Sequence, residues 1–184
     1  MGDGPVCSPN LRVTSRRRDD DAARDGLAQF LEARPRLFGI AYRMLGSAAE
    51  AEDLLQDVWL RWQTADRTKV RNATGFLVTT VTRLAINALQ SARVRHETYV
   101  GPWLPEPVDT SADPRLGAER GEALSFAVLL LLEALSPPER ATYILREAFD
   151  TPYREIAEIL RVEEPNARQL FTRARSRVVR GRRA

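Results

Sequence analysis

Apolar residues return every three or four positions through most of this chain, the period of a helix with one buried face. The pattern predicts a helix from Phe30 to Leu45, with Leu31, Leu37, Phe38, Ala41 and Leu45 as its apolar set. Gly46-Ser47 ends it, and Ser47 is placed to cap the next helix. That next helix, Ala48 to Gln63, turns Leu54, Leu55, Val58, Trp59 and Trp62 inward and sets Glu50, Asp53 and Asp57 on its far side. A third helix is predicted from about Thr74 to Val94. Leu77, Val81, Leu84 and Ala88 form its apolar side, and Thr80, Arg83, Asn87 and Gln90 its polar side. A loop rich in charge (Asp66, Arg67, Lys69, Arg71, Asn72) joins the second helix to the third. No stretch of useful length alternates with the period of a strand.

Pro102, Pro105, Pro107 and Pro114 interrupt the pattern and mark a linker. Beyond it, Leu124 to Leu135 is strongly apolar. Ser136-Pro137-Pro138-Glu139 reads as a capping box, with the serine as cap, a proline in the first turn and the glutamate reaching back. The helix that starts there points Tyr143, Ile144 and Ala148 inward. Thr151 is expected to cap a short helix ending at Leu160, and Arg161-Val162-Glu163 makes a tight turn. Glu164 to Val179 is a last helix with Ala167, Leu170, Phe171, Ala174 and Val178 on one face. Gln169, Thr172, Arg173 and Ser176 fall on the other. Two helices about a tight turn, the second with a polar outer face, form the helix-turn-helix pattern that reaches a DNA major groove. The expected fold class is all-α. It has a tail over 1–26, where few apolar residues offset the entropy of order, a helical domain over 27–98, a linker over 99–120 and a second helical domain over 121–184.

Composition narrows the function. With 184 residues the chain could form one compact domain or two small ones, and 43% hydrophobic content suffices for ordinary cores. No apolar run could span a bilayer, and the N-terminus lacks a signal-peptide pattern, so a cytoplasmic protein with no membrane partner is expected. Cys7 is the only cysteine and His96 the only histidine, which leaves no disulfide, zinc cluster or nucleophile constellation. The chain is therefore read as no enzyme, with no cofactor. Net charge is +3, but its distribution matters more. Thr151–Ala184 holds nine Arg against four Glu, whereas Gly121–Asp150 holds two Arg against five acids. A guanidinium can grip phosphate or guanine with two parallel hydrogen bonds, so arginine on the last helix suits nucleic acid.

Three stretches, in order, resemble the extracytoplasmic-function (ECF) branch of the sigma-70 family of bacterial transcription initiation factors. Ala48–Leu60 (AAEAEDLLQDVWL) is similar to the family's polymerase-docking helix, Gly75–Arg95 to its promoter-melting helix, and Leu135–Arg175 to its upstream-element reader. The linker Tyr99–Pro107 (YVGPWLPEP) resembles that of one subgroup, whose members usually continue into a SnoaL-like regulatory domain. This sequence stops at Ala184, so it is either a piece of a longer chain or a variant without that domain. It also departs from the family at Arg161, where a glycine is usual, and at Glu163, where a serine or threonine cap is usual.

The resemblance implies a sigma factor that directs promoter recognition by core RNA polymerase. It implies Glu50, Asp53, Leu54, Gln56 and Asp57 as the polymerase contact. It implies Arg67, Lys69, Arg71, Asn72, Thr80, Arg83, Asn87 and Gln90 as contacts to melted promoter DNA, and Arg168, Gln169, Thr172, Arg173, Ser176 and Arg177 as contacts to the upstream element. An anti-sigma factor or an attached regulatory domain is the further class of partner it allows. The rival reading is an autonomous helix-turn-helix regulator, which leaves the acidic helix without a task.

Overall fold

Gly46 turns the chain at φ 77°, a left-handed conformation in which a Cβ would be strained. It separates helix α1 (Leu11–Leu45) from α2 (Ala48–Thr64), which opens on the Ser47 side chain accepting from the Glu50 N–H at 3.4 Å. A 3₁₀ turn at Arg67–Lys69 leads to α3 (Ala73–His96). The computed structural model describes residues 11–96 and 129–181, with side chains from 24 to 92 and from 129 to 181. The predicted linker, the start of the helix at Leu124 and residues 1–10 lie outside the described residues. After a helical turn at 129–133 come α4 (Pro137–Glu147), α5 (Tyr153–Leu160) and α6 (Glu164–Gly181). No strand occurs among the described residues.

Two cores result. In the first lobe Leu37, Ile40 and Met44 of α1 meet Leu55, Val58 and Trp62 of α2 and Leu77, Val81 and Ala85 of α3. The Trp62 indole N–H donates to the Gly26 carbonyl at 2.8 Å, so its ring is held from both sides of the packing. In the second lobe Leu132, Ile144, Leu145, Ile156, Ile159 and Val178 close around Ala167 and Ala174. Each large aliphatic side chain buried this way stabilises by roughly 1.5–3 kcal/mol.

The lobes also pack on each other. Arg83 of α3 donates to the Ile159 and Glu158 carbonyls at the end of α5, at 2.8 and 3.0 Å. Arg140 of α4 reciprocates, donating to the Met44 carbonyl in the last turn of α1 at 2.6 Å and to the Leu132 carbonyl at 2.8 Å. Phe149 stands between the guanidiniums of Arg36 and Arg43, 5.6 and 5.7 Å from its centroid, and a Cβ on Gly39 would lie 3.2 Å from its ring.

Several expectations need correction. Residues 11–26, expected in a tail, belong to α1. Low apolar content argued against order there, but no Pro or Gly interrupts 11–25, and a helix already nucleated by packing extends cheaply. Leu31 is 54% exposed; α1 buries Phe30, Ala33, Ile40, Tyr42 and Met44 instead. On α3 the buried stripe is Leu77, Val78, Val81 and Ala85, leaving Leu84 and Ala88 half-buried. Ala148 is exposed and Leu145 buried. Thr151 does not cap α5, whose first-turn N-cap is Pro152. It is buried, donating its N–H to the Leu145 carbonyl at 2.9 Å and accepting from Arg36 at 3.4 Å.

Candidate nucleic-acid interface

On α2, Glu50, Asp53 and Asp57 are exposed, three or four residues apart on one side, and Gln56 is exposed next to Asp57. Among the described residues none of the three acids has a cationic partner, whereas nearby Glu52 is bound by Arg34 at 2.7 Å. Leu54, expected at the same contact, is 7% exposed and belongs to the core. The pattern had missed Leu60, which is 58% exposed one turn beyond Asp57.

The loop after α2 is held by its own groups. The Asp66 carboxylate accepts from the Thr68 N–H and hydroxyl at 3.2 and 2.5 Å and pairs with Lys69 at 2.9 Å. The Thr68 hydroxyl bond, then Lys69, hold its carboxyl below the ordinary value. Asn72 accepts from the Gly75 N–H at 3.0 Å at the start of α3. Lys69, Arg71 and Asn72 line one open depression of about 600 Å³, with Arg61 and Phe76 as walls that the sequence reading did not single out. Phe76 follows the helical face toward Trp62, 5.5 Å between centroids, so its apolar role masked its place at the rim. Arg67 points the other way, its guanidinium over the Trp62 ring at 5.8 Å and against Gly26.

The polar side of α3 is divided. Asn87 and Gln90 are exposed, and the Thr80 hydroxyl donates to the Phe76 carbonyl at 2.8 Å. Arg83 lies against α5, where burial and, less, the nearby Arg161 pull its pKa below the ordinary arginine value.

The turn of the helix-turn-helix places Arg161 at φ 56° and ψ 47°, left-handed as a glycine there would be. Arg161 donates its N–H to the Ala157 carbonyl, and the Glu163 carbonyl accepts from Asn166 and Ala167 to start α6. On α6, Gln169, Thr172 and Ser176 are exposed. Thr172 and Ser176 border an open concavity of about 660 Å³ with Phe171, Arg175, Val179 and Arg180. Arg168 pairs with Glu164 at 2.5 Å and lies over the Tyr153 ring at 4.7 Å.

Arg177 and Arg173 turn toward α4. Arg177 Nη1 donates to Glu139 Oε2 at 2.6 Å, and Arg173 Nε stands 3.9 Å from Oε1. Glu139 also accepts from the Ser136 N–H at 3.1 Å and hydroxyl at 2.7 Å, so it reaches back as a capping glutamate should. Burial alone would push its carboxyl up. The Ser136 hydrogen bonds and the two guanidiniums together outweigh that and hold it below the ordinary value.

A three-helix lobe with an acidic helix and a basic-rimmed loop, followed by a helix-turn-helix lobe, defines a class. Residues 17–95 match Sigma-70 region 2 and residues 125–178 match Sigma-70, region 4. The chain belongs to the sigma-70 family, in its ECF branch. It is 41% identical over 155 residues to the ECF RNA polymerase sigma factor SigJ of Mycobacterium tuberculosis, covering 83% of this chain and 49% of that one. The probable ECF sigma factor SigI of the same species is 30% identical over 145 residues, 77% of this chain and 50% of SigI. The crystal structure of SigJ superposes with a TM-score of 0.65 at 38% identity, over 83% of this chain and 52% of that one. The sigma factor RpoE of Bartonella quintana, crystallised with the anti-sigma factor NepR, shares the fold at 20% identity. Its TM-score is 0.66, over 87% of this chain and 98% of RpoE. The chain spans about half the length of the curated relatives it matches. No helix among the described residues is long and apolar enough to cross a membrane.

Proposed function

We propose that the chain is a promoter-specificity subunit for bacterial core RNA polymerase. The observation that carries this reading is one chain bearing an unpaired acidic row on α2 and an arginine-flanked reader helix. Glu50, Asp53, Gln56 and Asp57, joined by Leu60, dock on a basic surface of the polymerase, and complementary charge sets orientation and arrival rate. Gln169, Thr172 and Ser176, with Arg168, face the upstream element in its major groove. The loop depression lined by Lys69, Arg71 and Asn72 receives an unstacked base of the melted element, with Phe76 as a stacking wall. Asn87 and Gln90 follow the strand along α3, and Thr80 sits at the entry.

The protein performs no chemistry of its own, needs no cofactor and works in the cytoplasm. Its partners are core polymerase and promoter DNA, with an anti-sigma protein or a following regulatory domain as the restraint. The test is transcription in vitro from a promoter library with core polymerase, with and without this protein. Initiation at defined start sites only in its presence is the expected result. Tight promoter binding without polymerase, and no gain in initiation, would instead favour the autonomous regulator.

A further inference from the structure

The fully buried ridge of α6 is Ala167, Ala174 and Val178, two of them small, and Phe171 is half-buried with its ring 6.0 and 5.8 Å from those of Tyr143 and Tyr153. A polar brace adds to this packing. Glu139 is 4% exposed, and its carboxylate faces guanidiniums from successive turns of α6, Arg173 and Arg177. Oε2 carries three donors (the Ser136 N–H, the Ser136 hydroxyl and Arg177), so the carboxylate is fixed from the α4 side before α6 is added. A guanidinium on a buried carboxylate is not available to phosphate, and phosphate contacts raise affinity without choosing sequence.

We propose that Glu139 is a positioning and selectivity residue of the reader. It withholds Arg177, and in part Arg173, from the DNA backbone and helps set the rotation of α6, so that Gln169, Thr172 and Ser176 decide where the helix binds. This rests on the reading that α6 binds duplex DNA. Arg177 then belongs to the brace rather than to the groove, unlike Arg175 and Arg180, which rim the open concavity.

The test uses the full chain and two polyanions, immobilised heparin and a duplex of random sequence, each across a salt series. Glu139→Gln keeps the cap, since glutamine also serves at that position, but removes the charge. Its expected effect is a gain: later elution from heparin, and a salt slope on random duplex steeper by about 0.9 for each guanidinium released. Arg177→Gln breaks the same ion pair, yet should change the slope by less than half that amount, about 0.4. In the double variant the gain of Glu139→Gln should largely vanish, giving a clear coupling between the two sites. A bond that only supported the fold would move both single variants in one direction. Unchanged heparin retention in Glu139→Gln, or a full phosphate's loss of slope in Arg177→Gln, overturns the proposal. Failure of the wild-type chain to bind duplex while heparin retention follows the expected pattern would instead sink the DNA reading and leave the brace standing.

Discussion

Arg161 occupies a left-handed position at the end of α5, where an L side chain costs roughly 1–2 kcal/mol. It also sits near enough to Arg83 to disfavour that residue's charge. Arg161→Gly should therefore stabilise the chain by about 0.5–1 kcal/mol after the entropy glycine adds to the unfolded state, read from the midpoint of urea unfolding. A lower midpoint would show that the arginine makes a contact that outweighs its strain. Glu139 sets a pH window. Its folded pKa is depressed, so its contribution is complete above the unfolded glutamate value, about 4.3, and is lost as pH falls through the lower folded value. Wild type and Glu139→Gln should differ in stability at neutral pH and converge in acid; parallel curves would mean that the carboxylate is not ionised in the fold. The sequence showed both residues in place, the departure from glycine and the capping glutamate. It could not show that Arg177, thirty-eight positions on, ends at that carboxylate, because a guanidinium's partner depends on tertiary distance rather than on local pattern.

At the scale of helices, period was a good guide to existence and a poorer one to rotation and extent. The boundaries of α2, α3 and α6 lie within about two residues of those expected. The buried stripe of α3 runs through Val78 and Ala85, leaving Leu84 and Ala88, expected on it, half-buried. Leu54 shows the period succeeding, since it turned the residue inward and the structure buries it. Only the resemblance made it a contact residue, yet Leu54→Ala would leave a hole in the core costing about 2–5 kcal/mol, and loss of activity in that variant would say nothing of docking. The acids are cleaner probes. Asp53→Arg combined with Asp57→Arg reverses charge on an exposed face, so helicity and melting should stay near wild type. Polymerase-dependent initiation should drop at least about tenfold, the effect of 1.4 kcal/mol in association. Normal initiation by that variant removes α2 from the docking surface.

Across the whole molecule, the two lobes are held by an exchange of guanidiniums, Arg83 into one and Arg140 into the other, and by Phe149 beside Arg36 and Arg43 of α1. Gly39 leaves room for that ring against α1. Gly39→Leu should act as a wedge and raise the radius of gyration in small-angle scattering, while each lobe keeps its helices; an unchanged radius would mean that the seam adapts. Arg140→Ala should cost more than Arg83→Ala, about 1–3 kcal/mol for each buried carbonyl left without its donor, because Arg140 is buried and Arg83 only half so. None of this seam was legible in the chain, since helical periodicity reports which face is covered and not by what.

The acceptors in that seam are main-chain oxygens and the Thr151 hydroxyl, none of which gains or loses a proton in the physiological range. Acidification therefore has no handle on it. What can displace a carbonyl from Arg83 is a stronger anion, and the sugar–phosphate strand that α3 is proposed to follow would bring one.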